Sequence, residues 1–246
     1  MAKTREQIAS AVEREFPALL REIYGDRLKS VTLYGSYLRE SFRPGVSDVN
    51  VLVILDEPVP EALRVVGRRG RRLMKANGIA PLILSRKEFL GSADVFPMEY
   101  FDILANRKVA FGDDVAGELS INSSNLRHQV EYQLRGSLLS LRKLAVAAGR
   151  KRPFIKTALR KELMQWSGSL SAILRGLLRL QGVEKTSSDP ESLVQEINRT
   201  LGLEPGAILE LLKCRSGDCP DAFQLIDGLL ERLGRLVEIV DSWEER

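Results

Sequence analysis

The sequence has few of the residues that build metal centres and disulfide frameworks. It contains two cysteines and one histidine, His128, among 246 residues. Cys214 and Cys219 are separated by four residues in CRSGDC, so a four-ligand zinc site there would have to recruit carboxylates. We therefore expect reduced thiols without a metal, and a histidine that is only a polar helix residue.

Long hydrophobic runs are also missing. No stretch approaches the roughly 18 consecutive apolar residues that a membrane-spanning helix needs. The N-terminal segment MAKTREQIASAVERE is charged and amphipathic, and it has no apolar centre like that of a signal peptide. These two features predict a cytoplasmic protein with no membrane partner.

The sequence has no large excess of charge of one sign. It has 37 basic and 33 acidic side chains, a net charge of +4, which is weak for a dedicated nucleic-acid binder. A basic run between Arg64 and Lys75 falls mostly opposite Leu63, Val66 and Leu73 on a helix. We interpret this run as a solvated face, so the sequence disfavours a nucleic-acid partner without excluding one.

The first half of the chain alternates helical and strand patterns. It begins with a helix over about residues 4–24 and ends in FPMEYFDILANRKVAFGDD, which offers one or two short strands. Between them follow the strand SVTLYG, the strand VNVLVIL, the helix PEALRVVGRRGRRLMKANG and the strand APLIL. This order predicts an α+β domain of the α/β type with a mixed sheet, over residues 1–115.

The second half, residues 120–246, shows apolar stripes at helical spacing and predicts an all-helical bundle of four or five helices. The first stripe comprises Leu126, Val130, Leu134, Leu138 and Leu141. The second comprises Leu159, Leu163, Trp166, Leu170, Leu174 and Leu177. The third comprises Phe223, Ile226, Leu230, Leu233, Val237 and Val240, and Leu229 and Leu236 widen it. The width of the third stripe predicts a homodimer through the helical half.

The residues suited to chemistry lie in the first half. Gly35 and Ser36 end an apolar strand in a turn whose backbone N–H groups and hydroxyl can meet a phosphate. Asp48 follows twelve residues after Ser36 and opens the next strand pattern, in which Asp48 and Asn50 share a face. This order places Asp48 beside the Gly-Ser turn.

Gly-Ser, a spacer of about a dozen residues and then Asp-Val-Asn-Val resemble the signature of the nucleotidyltransferase superfamily. That superfamily includes kanamycin nucleotidyltransferase and small bacterial nucleotidyltransferases with helical partners. The segments FPMEYFDILANRKVAFG and LRHQVEYQLRGSLLSLRK resemble a bacterial branch of it. In that branch a helical domain of the substrate-binding type follows the catalytic domain.

The resemblance implies a site for a nucleoside triphosphate and Mg²⁺. In such enzymes two or three carboxylates hold two Mg²⁺ ions that clamp the triphosphate while its α-phosphorus is attacked. It implies that Gly35 and Ser36 bind the triphosphate and that Asp48 is the first metal ligand. The second ligand position falls on Asn50, whose amide removes one negative charge and so weakens the metal site.

Further candidates are secondary. Arg39 and Arg43 follow the turn and can neutralise phosphate charge, although arginines in a polar connection are also common surface residues. The third carboxylate of the family has no counterpart in APLIL, and we favour Glu99 over Asp102 for that role. If PMEYFDIL is a strand, these two acids point to opposite faces.

The helical half offers a polar face for an acceptor substrate. Glu131, Arg135 and Arg142 share one side of the first predicted helix of the bundle, although i, i+4 charge pairing explains Glu131 and Arg135 equally well.

Three functions remain open from the sequence. The first is an enzyme that transfers a nucleoside monophosphate, with AMP favoured, to a hydroxyl acceptor. The second is a catalytically impaired pseudoenzyme that still binds nucleotide. The third is a regulatory or interaction protein comparable to paired nucleotidyltransferase and helical toxin–antitoxin partners; an RNase activity is disfavoured because no arginine precedes His128 at the spacing of the RNase motif.

Overall fold

The chain forms two compact units, Met1–Ile121 and Asn122–Arg246. The computed structural model describes residues 4–39, 42–45, 47–149, 155–183, 185–187, 189–204, 206–214 and 221–243. No helix in these ranges combines the length and the hydropathy that a membrane crossing requires.

The first unit begins with a helical run that the sequence pattern anticipated. Helix α1 spans Arg5–Ser10, a π-helical turn covers Ala11–Glu15, and α2 spans Phe16–Tyr24. Thr4 starts the run through a reciprocal capping box with Gln7. The buried side of the run packs onto the sheet described next.

A four-stranded mixed sheet forms the centre of this unit. The strands are β1 (Leu28–Tyr34), β2 (Val49–Leu55), β3 (Ile79–Ser85) and β4 (Arg107–Gly112), in the order β3-β2-β1-β4. β1 is antiparallel to β2 and β4, whereas β2 and β3 are parallel. The parallel pair is joined by a crossover of two helices, α3 (Pro60–Arg69) and α4 (Arg71–Asn77). The predicted fold class is therefore confirmed.

The strand β2 is buried on both faces. Val51, Val53 and Leu55 pack in one core cluster with α2, whereas Leu52 and Ile54 pack in a second cluster on the opposite face. Alternation along a strand explains this division. It also explains why VNVLVIL is almost uninterrupted in its apolar character.

The prediction of a strand over PMEYFDIL is wrong. After α5 (Arg86–Gly91), helix α6 spans Pro97–Ala105, and only the following segment RKVAFG forms a strand. Tyr100 and Ile103 lie about one helical turn apart and both reach the second core cluster, so the helix buries them together. Glu99 and Asp102 are consequently neighbours on a helix surface and do not point to opposite faces.

The second unit is helical, as predicted. Its helices are α7 (Ser123–Ala148), α8 (Ile155–Leu180), α9 (Pro190–Leu201), α10 (Gly206–Lys213) and α11 (Ala222–Asp241). α11 packs on α7 and α10, and α8 packs on α7. Most of the predicted stripe residues are buried, while Leu138, Trp166, Phe223 and Leu230 are half-buried.

The third apolar stripe is used within one chain. Leu229, Leu233, Leu236 and Val237 are buried in the single chain, and Leu230 is half-buried. The width of the stripe is therefore accounted for by packing inside this unit. A homodimer through the helical half remains a prediction. The four buried side chains no longer support it, because packing within the chain already covers them.

Cys214 corrects the expectation of reduced thiols. Its side chain is buried and disulfide-bonded. The other cysteine of the sequence, Cys219, lies outside the described residues.

Gly112 provides a test of the sheet. It has a φ of 74°, and a Cβ atom at this position would lie 1.8 Å from the carbonyl oxygen of Lys29. We expect Gly112→Ala to destabilise the first unit by about 3 kcal/mol or more, because it adds backbone strain to a clash that neither backbone can avoid. Thermal unfolding followed by circular dichroism measures this loss. Gly136→Ala is the control, since its Cβ meets nothing within 4 Å on an exposed helix face; equal stability of the two variants would contradict the expectation.

Candidate functional site

The Gly-Ser turn lies directly against the start of β2. β1 ends at Tyr34, and Gly35 enters a short 3₁₀ turn with a φ of 76°. A Cβ atom on Gly35 would lie 3.1 Å from Nδ2 of Asn50. Only glycine combines this backbone conformation with so close an approach. The turn backbone and the Asn50 amide therefore belong to one site.

Asp48 and Asn50 lie where β2 begins. Asp48 directly precedes the strand and is exposed, and Asn50 is half-buried between Tyr34 of β1 and Ala80 of β3. Asn50 is on the same face as the second core cluster because it shares the alternation of Leu52 and Ile54. The structure thus places three predicted site residues, Gly35, Asp48 and Asn50, at one end of the sheet.

The residue that follows α4, Gly78, also lies beside Asp48 and the start of β2. The N–H group of Val49 donates to the carbonyl oxygen of Gly78, with 2.8 Å between nitrogen and oxygen. A Cβ atom on Gly78 would lie 4.0 Å from Oδ1 of Asp48. Asp48 is therefore next to the junction at which α4 ends and β3 begins.

The two candidate arginines differ in their surroundings. Arg43 is exposed, and its backbone N–H donates to Oγ of Ser47 while its carbonyl accepts from the N–H of Ser47. Arg39 is largely buried, with 13% of its side chain exposed, and its Nη2 lies 3.9 Å from Oδ1 of Asp102. Arg43 is thus the more accessible cation for a phosphate.

Arg5 is a neighbour of this segment that sequence analysis missed. Its Nη2 donates to the carbonyl oxygen of Tyr37 at 2.9 Å, and its guanidinium lies 5.9 Å from the centre of the Tyr37 ring. The contact joins α1 to the segment after the Gly-Ser turn. Because 32 residues separate the two partners, no local pattern in the sequence signals it.

No carboxylate on β3 faces the site. In the parallel register Asn50 pairs with Ala80, and Leu52 pairs with Leu82. Paired residues of neighbouring strands share a face, so the positions of β3 on this face are apolar. Glu99 is exposed on α6, and its charge helps to raise the pKa of Tyr100, which is raised mainly by burial. Asp102 lies on the same helix beside Arg39.

The donor set suits one magnesium ion better than two. Among the residues that the structure describes, no group of three His, Cys, Asp or Glu side chains could hold a metal. Mg²⁺ is commonly bound by one or two carboxylates together with substrate phosphates and water. Asp48 and the amide oxygen of Asn50 fit an ion that enters with a triphosphate. A second ion would have no further protein carboxylate on β2 or β3.

A bidentate ion pair braces the wall of the site. Gly35 donates its N–H to the carbonyl oxygen of Asn106 at 3.2 Å, at the corner between α6 and β4. The next residue, Arg107, donates from Nε and Nη2 to the two carboxylate oxygens of Asp114 at 2.9 and 2.8 Å. Its Nη1 donates to the carbonyl oxygen of Leu104 at 2.8 Å. The hydrogen bonds from Arg107 lower the pKa of Asp114.

The polar face of α7 is occupied by ion pairs. Arg135 donates to Glu131 at 2.8 Å and to both carboxylate oxygens of Asp241 at 2.7 and 2.8 Å. Arg127 lies 3.4 Å from Glu131. Ion pairs within α7 and between α7 and α11 therefore account for Glu131 and Arg135, while Arg142 is exposed.

Comparisons with known proteins agree with the fold of the chain. Residues 13–107 match the family model described as a nucleotidyltransferase domain. Among solved structures the chain is similar to a spectinomycin adenyltransferase from Enterococcus faecialis, solved with ATP and spectinomycin. The identity is 14%, the TM-score is 0.56, and the alignment covers 94% of this chain and 100% of the other. At this identity the likeness shows a shared fold. No curated protein matches the sequence.

The ion pair between Arg107 and Asp114 predicts that the stability of the first unit depends on pH. Because the folded-state pKa of Asp114 is lowered from 3.8, its carboxylate stabilises the fold above that pH, and the contribution is lost as the pH falls through the lowered pKa. We expect Asp114→Asn to lower the melting temperature of the first unit by a few degrees at pH 7, with the difference from wild type closing in strong acid, at a pH below the lowered pKa of Asp114. Asp113→Asn, one residue away and exposed, is the control. A difference that is the same at both pH values would contradict this role.

Proposed function

We propose, because the first unit belongs to the nucleotidyltransferase superfamily, that the protein binds a nucleoside triphosphate together with Mg²⁺ and transfers a nucleoside monophosphate to a hydroxyl acceptor. ATP is the favoured nucleotide and AMP the favoured group. The similar fold of the spectinomycin adenyltransferase, which was solved with ATP, supports this choice.

The contact between Gly35 and Asn50 carries the proposal. A Cβ atom added to Gly35 would lie 3.1 Å from Nδ2 of Asn50. The backbone of the Gly-Ser turn therefore lies close to the strand that Asp48 precedes. A turn free of side-chain bulk exposes N–H groups to a phosphate. Asp48 stands next to the same strand end and supplies the negative charge that a cation bound to the phosphates requires.

The reaction follows from this arrangement. The acceptor hydroxyl oxygen forms a bond to the α-phosphorus, the bond from that phosphorus to the bridging oxygen breaks, and pyrophosphate leaves. The hydroxyl proton passes to solvent or to a carboxylate, for which Glu99 on α6 is the candidate. Mg²⁺, held by Asp48 and Asn50, would neutralise phosphate charge.

The arginines divide their roles. Arg43 is exposed and is the better candidate for a direct contact with the triphosphate. Arg39, beside Asp102, more closely resembles a positioning residue that fixes the segment after the turn. Gly35 and Ser36 remain the proposed nucleotide contacts.

A second candidate function is a catalytically impaired nucleotide-binding protein of the same fold, with a regulatory or interaction role. Two observations favour it: the amide at position 50, and the absence of a carboxylate on the site-facing positions Ala80 and Leu82 of β3. Both reduce the negative charge available for Mg²⁺. A homodimer remains compatible with either function.

The Gly35 contact has a direct test. We expect Gly35→Ala to weaken ATP binding about tenfold or more, because the new Cβ forces the turn away from Asn50 and strains a backbone of positive φ. Isothermal titration calorimetry measures the affinity. Gly25→Ala is the control, since it carries a similar strain at a φ of 57° but meets nothing within 4 Å. If both variants lose the same affinity, the turn does not contact nucleotide.

The amide at position 50 has a second test. We expect Asn50→Asp to tighten Mg²⁺-dependent ATP binding by about 1 to 2 kcal/mol, or about 5- to 30-fold, because it restores one negative charge beside Asp48. Asp48→Asn should abolish the dependence on Mg²⁺. Titrations of ATP with and without Mg²⁺ compare the three proteins.

The same three proteins distinguish the two candidate functions, an active transferase and an impaired nucleotide-binding protein. Transfer of label from [α-³²P]ATP to an acceptor by the wild type supports the enzyme. Nucleotide binding without transfer, even by Asn50→Asp, supports the impaired protein. Identical binding by wild type and both variants would show that Asp48 and Asn50 are only strand residues.

A further inference from the structure

A row of cations runs along the outer surface of α3 and α4. Gly70 between the two helices has helical backbone angles, and the hydrogen bonds from Gly70 to Val66 and from Met74 to Gly70 continue the helical pattern. Positions spaced by three and four residues therefore share a face. The basic stripe comprises Arg64, Arg68, Arg71, Arg72 and Lys75, all exposed.

The basic stripe has no acidic counterpart in the described part of the chain. The one ion pair on these helices joins Arg69, which is not part of the stripe, to Glu22. Residues 60–78 contain six cationic side chains and one acidic side chain, a net charge of +5, whereas the whole chain carries +4. All other residues together therefore carry −1, and the positive charge of the protein is concentrated here.

Helix stability does not explain the stripe. Arg68 and Lys75 lie in the last turns of their helices, where a positive charge is favourable. Arg71 and Arg72 lie at the start of α4, away from its last turn, so this effect does not account for them. Like charges four residues apart, as in Arg64 and Arg68, destabilise a helix. No ion pair among the described residues compensates these costs.

The stripe leads to the candidate site. Lys75 is three residues before Gly78, whose carbonyl binds the N–H of Val49 and which lies next to Asp48. From Arg64 to Lys75 the helices rise about 16 Å. Arg43, exposed and without an ion pair among the described residues, lies in the loop that also ends at Asp48. A chain of negative charges on the stripe would point its end toward the site.

We propose that the acceptor of this protein is a single-stranded nucleic acid, held through its phosphates by the basic stripe, with its terminal 3′-hydroxyl presented to the site at Asp48. This inference rests on the proposed function. The 3′ oxygen forms a bond to the α-phosphorus of the nucleoside triphosphate, pyrophosphate leaves, the proton passes to solvent, and the strand grows by one nucleotide.

The composition of the stripe favours phosphates over the carboxylates of an acidic protein. Four of its five members are arginines, whose planar guanidinium groups bind phosphate oxygens in pairs. A nucleic-acid end combines the two features that the surface and the site require, a row of phosphates and a free hydroxyl. No aromatic residue lies in residues 60–78, so recognition acts on the backbone and not on the bases.

The test uses a 20-nucleotide RNA and a DNA of the same sequence, each labelled at its 5′ end. The affinity of the full-length protein is measured by fluorescence anisotropy at several salt concentrations. Neutralising about five phosphates of a single strand gives a slope of log K against log salt of about −3.5. We expect the variant R64Q/R68Q/R71Q/R72Q to bind at least tenfold more weakly, with a slope nearer to −1.

The matched control is K143Q/K161Q/K185Q/R235Q, which removes four exposed cations from the second unit and gives the same net charge. It should bind the oligonucleotides as the wild type does. An equal loss in both variants would overturn the proposal, as would no oligonucleotide binding by wild type at low salt. Stronger binding of poly-glutamate than of either oligonucleotide would assign the stripe to an acidic protein and overturn it as well.

Extension of the strand is measured separately with [α-³²P]ATP. Extension of a 3′-hydroxyl strand but not of a 3′-phosphate strand supports the proposal, and comparison of RNA with DNA identifies the natural acceptor. If the protein binds the oligonucleotides through the stripe but does not bind ATP, the proposed function fails and the assignment of the stripe as a nucleic-acid surface holds. ATP-dependent labelling of other acceptors, without oligonucleotide binding that depends on the stripe, would mean that the proposed function holds and the nucleic-acid proposal fails.

Discussion

Burial of β2 on both of its faces is the constraint on which the first unit depends. Two core clusters meet at this strand, one through Val51 and Val53 and the other through Leu52 and Ile54. A shift of one residue would exchange the two clusters, so the register is strongly specified. The register in turn fixes the position at which Asn50 leaves the core and at which Asp48 meets solvent. The apolar interior therefore positions the polar site.

The site is built mainly from backbone. Gly35 approaches Asn50, its N–H is held by Asn106, and the corner after α6 is held by the pair of Arg107 with Asp114. These contacts fix where a phosphate can lie, but they add little negative charge for a cation. An arrangement of this kind suits a ligand that brings its own anionic groups and its own metal.

Cationic side chains are distributed unevenly around that site. Arg39 is partly neutralised by Asp102, whereas Arg43 and the basic stripe have no ion pair within the described residues. Exposed cations without partners retain their full field near the surface, which attracts anions over about a Debye length. The modest net charge of the chain conceals this asymmetry, because an average over all residues contains no information about position.

The segment PMEYFDILA shows where local pattern fails. Its apolar residues fit a strand or a helix, and its short length leaves the choice to tertiary contacts. Tyr100 and Ile103 reach the same core cluster only in a helix, and the hydroxyl of Tyr100 lies 2.7 Å from Oγ of Ser92. That packing decided the helix and thereby moved Glu99 and Asp102 to one side of it. Cys214 is a comparable case, since residue spacing does not reveal oxidation state.

The sequence by itself determined the strands β1 and β2, the change to a helical second unit and the order of Gly35, Ser36, Asp48 and Asn50, because each depends on local period or on glycine's freedom at a turn. Only the tertiary structure decided that Asp102 lies beside Arg39, that Arg5 contacts the segment after the turn, and that β3 offers Ala80 and Leu82 to the site. Those neighbours come from distant parts of the chain, and strand register and helix packing, which bring them together, are properties of the whole fold.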